Sequence, residues 1–171
     1  MSLPSQKQQV ITRLGQLKAE RATWLAHWQE ISLYLLPRNG RYFVQDRNKG
    51  WKRYNNIYDN TGTRALRTLA AGLMGGLTSP ARPWFRLTTS DPDLARHYPV
   101  KLWLAQSTRI MLDVFQKSNT YRALHGIYEE LGAFGTAACV VAEDYNTVIH
   151  HYPLTAGEYW KIGRASCRER V

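Results

Sequence analysis

The chain is expected to fold as an α+β protein that is mainly α, and three observations carry that expectation. Apolar residues recur at helical spacing over several long stretches, from Val10 to Leu35, Leu66 to Leu77, Val100 to Phe115 and Tyr121 to Leu131. Short clusters of Pro, Gly, Asn, Asp and Ser punctuate those stretches. Runs with strand character come only late, in Ala137 to Glu143 and Thr147 to Tyr152. An apolar fraction of 44% and a charged fraction of 21% are ordinary for a folded protein, so wholesale disorder is excluded. A length of 171 residues fits one domain with a real core.

The first element is a long N-terminal helix between Pro4 and Leu36. Val10, Leu14, Leu17, Arg21, Trp24, Trp28, Ile31 and Leu35 follow one another in alternating steps of 4 and 3, a heptad seam with one arginine in an apolar slot. A helix of about 30 residues is roughly 45 Å long at about 1.5 Å per residue. Such a rod either packs on its own domain or acts as a strut to a neighbouring subunit, and the seam suits both. Gly15 is a candidate kink, and Pro37 with Asn39-Gly40 ends the helix.

Residues 38–58 read as a loop, with a short hairpin about Asn48-Lys49-Gly50. Arg38, Arg41, Arg47, Lys49, Lys52 and Arg53 interleave there with Tyr42, Phe43, Trp51 and Tyr54. Cations displace counterions from phosphates and rings stack on bases, so this composition suits contact with nucleic acid or another partner. It equally suits an exposed loop with its rings packed under arginine stems.

The next helix is glycine-rich. Asp59, Asn60, Thr61 and Gly62 are all candidate caps. Leu66, Leu69, Leu73, Met74 and Leu77 form one apolar face, with Gly72, Gly75 and Gly76 between them. Each internal glycine costs a helix roughly 1 kcal/mol against alanine. Close approach of another backbone would justify them, and a tightly packed core helix is the plain form of that reading. Pro80 and Pro83 stop the helix, and Trp84-Phe85-Arg86-Leu87-Thr88 leaves it extended. Arg64, Arg67, Arg82, Trp84, Phe85 and Arg86 are candidate subunit-interface residues, since arginine and aromatic rings are enriched at interfaces.

After a turn at Asp91-Pro92-Asp93, a helix is expected to start near Pro99. Val100, Trp103, Leu104, Ser107, Ile110, Met111, Val114 and Phe115 make its stripe. Ser118-Asn119-Thr120 ends that helix and caps the next, which runs to about Phe134, so the pair forms an αα-hairpin. Gly132 and Gly135 close it. A terminal β-hairpin turns at Asp144-Tyr145-Asn146.

No catalytic constellation emerges from these elements. His125 and Glu129 are four apart on one helical face, a spacing that could supply two metal ligands, yet no HExxH and no second ligand cluster accompanies them. His150 and His151 are adjacent on a strand and point to opposite faces. Cys139 sits in the apolar run AACVV, where a thiol is most often inert. No nucleophile elbow, phosphate loop or Cys-x-x-Cys is present. No catalytic, cofactor-binding or metal-binding residue is therefore assigned, and no cofactor is expected.

The start MSLPSQKQQV has no apolar core of a signal peptide, and no apolar run approaches the ~20 residues that span a bilayer. A soluble intracellular protein is expected. The formal charge of +10 suggests a polyanionic partner, nucleic acid first. Residues 162–171, IGRASCRERV, resemble the translated read-through of a sequencing adapter, with Lys161 at the junction. Without Lys161, Arg164, Arg168, Glu169 and Arg170 the net charge becomes +7, and Cys139 is the single remaining cysteine. Residues 1–160 are then read as the native portion and 161–171 as a non-native, disordered tail.

Three stretches carry a family resemblance: TGTRALRTLAAGLMGGLTSPARPWFRL, VKLWLAQSTRIMLDVFQKSNTYRALHGIYEELGAFGTAA and HHYPLTAGEYW. They resemble the head-to-tail connecting (portal) protein of short-tailed, podovirus-type phages, over nearly all of residues 24–160. The resemblance implies a structural, non-enzymatic subunit of a homo-oligomeric ring through which DNA is packaged and ejected. The implied partners are capsid, tail and terminase proteins and the DNA passing through, with no membrane. The implied location is the virion, and the host cytoplasm during assembly. Portal chains generally begin with an α-rich wing before the stem and clip, so residues 1–160 correspond to a wing-like N-terminal portion. The rival reading is a stand-alone basic nucleic-acid-binding domain using residues 38–58. A metal-dependent hydrolase around His125 and Glu129 ranks behind both.

Overall fold

A computed structural model describes residues 6–37 and 57–160. Among the described residues four α-helices precede one antiparallel β-hairpin: α1 (Gln6–Leu35), α2 (Thr61–Leu77), α3 (Tyr98–Lys117), α4 (Thr120–Phe134), β1 (Ala138–Asp144) and β2 (Val148–Leu154). The fold is therefore α+β and mainly α. The chain divides into two compact units, Met1–Thr63 with Thr155–Val171, and Arg64–Leu154.

In the first unit α1 runs unbroken for 30 residues and ends one residue before Leu36, whose N–H donates to the Ser32 carbonyl. Gly15 does not interrupt it. Leu14, Leu17, Trp28, Ile31 and Leu35 of the heptad seam are partly buried, whereas Val10 and Trp24 are 67% and 57% exposed. The arginine in the seam has a specific task. Arg21 donates to the Gly157 carbonyl at 2.5 Å, and its guanidinium lies 4.5 Å from the centre of the Trp160 ring. Cation and indole face attract one another, so a charged residue holds an apolar slot without being stranded there. Lys18, one turn earlier, stands 6.0 Å from the same ring. At the other end of α1, a Cβ at Gly62 would lie 2.9 Å from Leu35 Cδ2, so this glycine does admit a close approach. Asp59 Oδ1 accepts from Thr61 N–H at 3.1 Å, and hydrogen bonding from Thr61 holds the Asp59 carboxyl below its ordinary value.

In the second unit the β1–β2 hairpin packs on α4 and α3, and α2 touches α4 at Gly132. Leu66 and Ala70 of α2 and Ala123, Tyr128 and Phe134 of α4 are the unit's buried apolar residues. The glycine that permits the α2–α4 contact is Gly132. A Cβ there would meet Leu66 Cδ1 at 2.9 Å and Leu69 Cδ2 at 3.1 Å. Gly132 therefore lies inside α4 and does not help to close it. Gly135 closes it, at φ +68° with its N–H on the Leu131 carbonyl, a left-handed cap that suits glycine.

Helix α3 begins at Tyr98 with Pro99 in its first turn, where a missing N–H costs nothing. A single 3-10 turn, Leu94–Arg96, precedes it. The expected cap at Asn119 takes another form. Asn119 occupies the N-cap position of α4 but makes no side-chain cap bond. Its amide is spent on β2 instead. The hairpin pairs Ala138 with Leu154 through Asp144 with Val148, so each strand lies one residue further along at its start than the alternation predicts.

Candidate assembly surface

The segment leaving α2 is fastened at every few residues. Thr78 and Tyr128 share a buried hydroxyl–hydroxyl hydrogen bond of 3.0 Å. Gln116 of α3 donates to the Pro80 carbonyl at 3.4 Å. Arg82 reaches back to the carbonyls of Gly75 and Gly76 at 3.4 and 3.5 Å, where the last turn of α2 leaves acceptors unsatisfied. Further on, the Leu87 N–H donates to Thr108 Oγ1 at 3.1 Å, and that hydroxyl donates to the Leu104 carbonyl. Thr108 thereby turns an α3 side chain into an anchor for the extended segment that follows α2.

Trp84 and Phe85 lie between these fastenings. Their rings meet edge to face at 4.7 Å, and Phe115 of α3 stacks 6.0 Å from Trp84 and lies 5.8 Å from Phe85. Such pairs contribute about 0.5–1.5 kcal/mol beyond their buried area. The Trp84 indole N–H donates to Tyr121 Oη at 3.4 Å. Both rings are half-buried, so their first role is intramolecular: they pin the exit of α2 to α3 and α4.

The four arginines proposed alongside them differ. Arg82 caps its own helix. Arg64, Arg67 and Arg86 are exposed and make no ion pair with any described residue. Arg64 and Arg67 stand three residues apart on α2, next to one another on its surface. The six cations Arg38, Arg41, Arg47, Lys49, Lys52 and Arg53 lie outside the described residues, as does the tail 161–171.

Chemistry elsewhere in the unit is sparse. His125 Nδ1 is 3.9 Å from Glu129 Oε1, with both side chains partly solvated. Among the described residues no group of three or more His, Cys, Asp or Glu could hold a metal ion. Burial pushes the Cys139 thiol up, against a smaller opposing pull from the backbone at Tyr152, which disfavours a thiolate nucleophile. No helix among the described residues is long and apolar enough to cross a membrane.

Thr78, Thr108 and Asn119 are not singled out for these contacts by sequence reasoning, because their partners are 50, 21 and 32 positions away. A small hydroxyl or amide carries no periodic signal. Gly72, Gly75 and Gly76, which the sequence does single out, have no atom within 4 Å of where a Cβ would stand. The close approach invoked for them is not made among the described residues.

Comparison with known proteins agrees with this assembly-like character. A family model described as bacteriophage head to tail connecting protein matches residues 7–163. A "Probable portal protein" from Bordetella phage BPP-1 is 64% identical over 159 residues, which is 93% of this chain and 29% of that one. A "Portal protein" from Salmonella phage epsilon15 is 44% identical over 156 residues, covering 91% of this chain and 28% of that one. The chain thus spans less than a third of the length of these curated relatives. The family match takes in both compact units and nearly the whole described fold, and the chain belongs to the bacteriophage head-to-tail connecting protein family.

Proposed function

We propose that this chain is the N-terminal, wing-like portion of a portal subunit, a structural part of the ring that joins a phage head to its tail. The observation that carries the reading is the family match across residues 7–163, with two relatives named as portal proteins. The physical reading supports it. A rod of 30 residues, an αα-hairpin and a segment fastened at each step are what a load-bearing part needs, and none of them arranges reacting groups. In the full-length subunit the partners are further copies of itself, capsid, tail and terminase proteins, and the DNA that passes through the ring. Its place is the virion, after assembly in the host cytoplasm, and its role is structural rather than catalytic.

Within that reading Arg64, Arg67 and Arg86 are the contacts to a neighbouring subunit. Exposed guanidiniums without an intramolecular ion pair among the described residues can meet carboxylates of another chain, and arginine is favoured at such contacts. Trp84 and Phe85 present that surface rather than forming it.

The test is a chimera. Residues 7–160 of this chain replace the matching stretch of the Bordetella phage BPP-1 protein, with which they are 64% identical. Electron micrographs of the purified chimera are expected to show closed rings. A chimera that folds, by circular dichroism and cooperative melting, yet stays monomeric would sink the proposal.

A further inference from the structure

Asn119 lies in the connection between α3 and α4, and its amide pairs with the backbone of β2. Oδ1 accepts from His151 N–H at 2.8 Å, and Nδ2 donates to the His151 carbonyl at 2.8 Å. A backbone N–H only donates and a carbonyl only accepts, so the amide cannot be turned over without losing both bonds. This fixes the second hydrogen on Nδ2 as well. It faces Nε2 of His150 at 3.2 Å. A ring nitrogen that meets an N–H donor must offer its lone pair, so His150 is held as the neutral ring with its proton on Nδ1.

We infer that this joint is a proton-sensitive latch: the β1–β2 hairpin stays docked on the α3–α4 connection while His150 Nε2 is bare, and acid releases it. A proton on Nε2 would set a charged N–H against the Asn119 amide hydrogens, two donors with no acceptor between them. Asn119 has no second orientation in which to answer, because the backbone of His151 has used its oxygen. Either the imidazole leaves or the backbone pair breaks. A hairpin of two strands has little stability of its own and depends on what it packs against, so loss of the joint loosens β2 about His151.

His151 acts in the same direction. Its Nδ1 lies 3.3 Å from Thr120 Oγ1, and burial, then the neighbouring His150, holds its imidazole below the ordinary value near 6.5. A histidine depressed in the fold is neutral there, so its contribution is complete above about pH 6.5 and is lost as pH falls through its lowered folded value. The acidic group on the same face of the hairpin as His150 is Asp144, at the end of β1. Glu143 pairs with Ile149 on the other face. Lys117 at the end of α3 and Arg122 near the start of α4 are the cations nearest to Asn119 along the chain. The Asp144 carboxylate is engaged by Thr147, and the group that faces Nε2 is the Asn119 amide.

The experiment is nitrogen-15 NMR of the full 171-residue chain with labelled histidine and backbone. At pH 7.5 the His150 ring is expected to carry its proton on Nδ1 with Nε2 bare. Between pH 7.5 and 5.0 the exchange protection of the His151 amide, corrected for intrinsic rate, is expected to fall about tenfold or more. Amides of α2 should keep theirs. His150→Gln should lose most of that fall, and Asn119→Asp, whose carboxylate welcomes the imidazolium, should reverse its direction. A proton found on Nε2 at pH 7.5 overturns the inference, as does unchanged protection at pH 5.0 or an undiminished fall in His150→Gln. The tautomer and the pH dependence are read on the unmutated chain, so they decide the matter even where a variant does not fold.

Discussion

Val148 has φ +71°, the left-handed region, and is the one described residue other than glycine to do so. A β-branched side chain there crowds its own backbone, at a cost of about 1–2 kcal/mol. The turn before it explains why the chain accepts the cost. Thr147 donates from both its N–H and its hydroxyl to Asp144 Oδ2, and its hydroxyl also reaches the Ile149 carbonyl, so the backbone is committed before Val148 is reached. Those Thr147 bonds also hold the Asp144 carboxyl below its ordinary value. Val148 is 61% exposed, so its side chain returns little packing. Val148→Gly is therefore expected to stabilise the chain by up to about 1 kcal/mol, after the greater freedom of glycine in the unfolded state is set against the relief. Urea unfolding read by circular dichroism measures it. A loss of stability would mean that Val148 packs more than its exposure implies. Turn formers in the sequence place the hairpin loop correctly, but nothing in the residue type Val announces a left-handed backbone. The conformation is set by the Asp144–Thr147 bonds, and the sequence shows those only as two common turn residues.

At the scale of elements, periodicity made the helices legible. The α1 heptad and the stripes of α3 and α4 give helix type and extent to within a few residues, because apolar residues that share one helical face recur every three to four positions, even where, as at Trp24, Trp103 and Ile110, that face is exposed. Glycine is less legible, because its roles differ while its letter does not. Gly132 and Gly62 meet leucine side chains closely, whereas Gly72, Gly75 and Gly76 meet nothing within 4 Å. Distance along the chain conceals the difference, since the partners of Gly132 are on another helix. The two classes should respond oppositely to alanine. Gly75→Ala is expected to stabilise this chain by roughly 1 kcal/mol, the helix propensity gained. Gly132→Ala gains the same propensity but forces the buried Leu66 to shift, and is expected to cost about 1 kcal/mol or more. Thermal melting of the two variants beside the parent checks the pair. Equal shifts of the same sign would show that α2 and α4 do not pack through Gly132.

At the scale of the molecule, the proposed ring turns on which surface would join one subunit to the next, and here the sequence marks a stretch dense in arginine and aromatic residues without sorting their tasks. Trp84 and Phe85 pack on Phe115, and Arg82 caps α2. A change at Trp84 would therefore weaken the fold by a few kcal/mol and mix folding with assembly. Arg64 and Arg67 separate the two. Both are exposed, and substitutions at exposed sites usually change stability by less than about 0.5 kcal/mol. Arg64→Glu with Arg67→Glu, made in the ring-forming chimera, should leave the melting temperature within a few degrees of the parent. At an interface the same change replaces two attractions with two repulsions, and like charges brought together between subunits cost several kcal/mol. Rings should then give way to monomers or short arcs in mass photometry at moderate salt, and added salt should restore part of the assembly by screening the repulsion. Intact rings at every salt concentration would remove Arg64 and Arg67 from the interface. Rings lost together with the fold would instead assign the pair to the stability of α2, contrary to their exposure. Because the variant changes charge and leaves the aromatic packing alone, melting and mass photometry on one sample distinguish these outcomes.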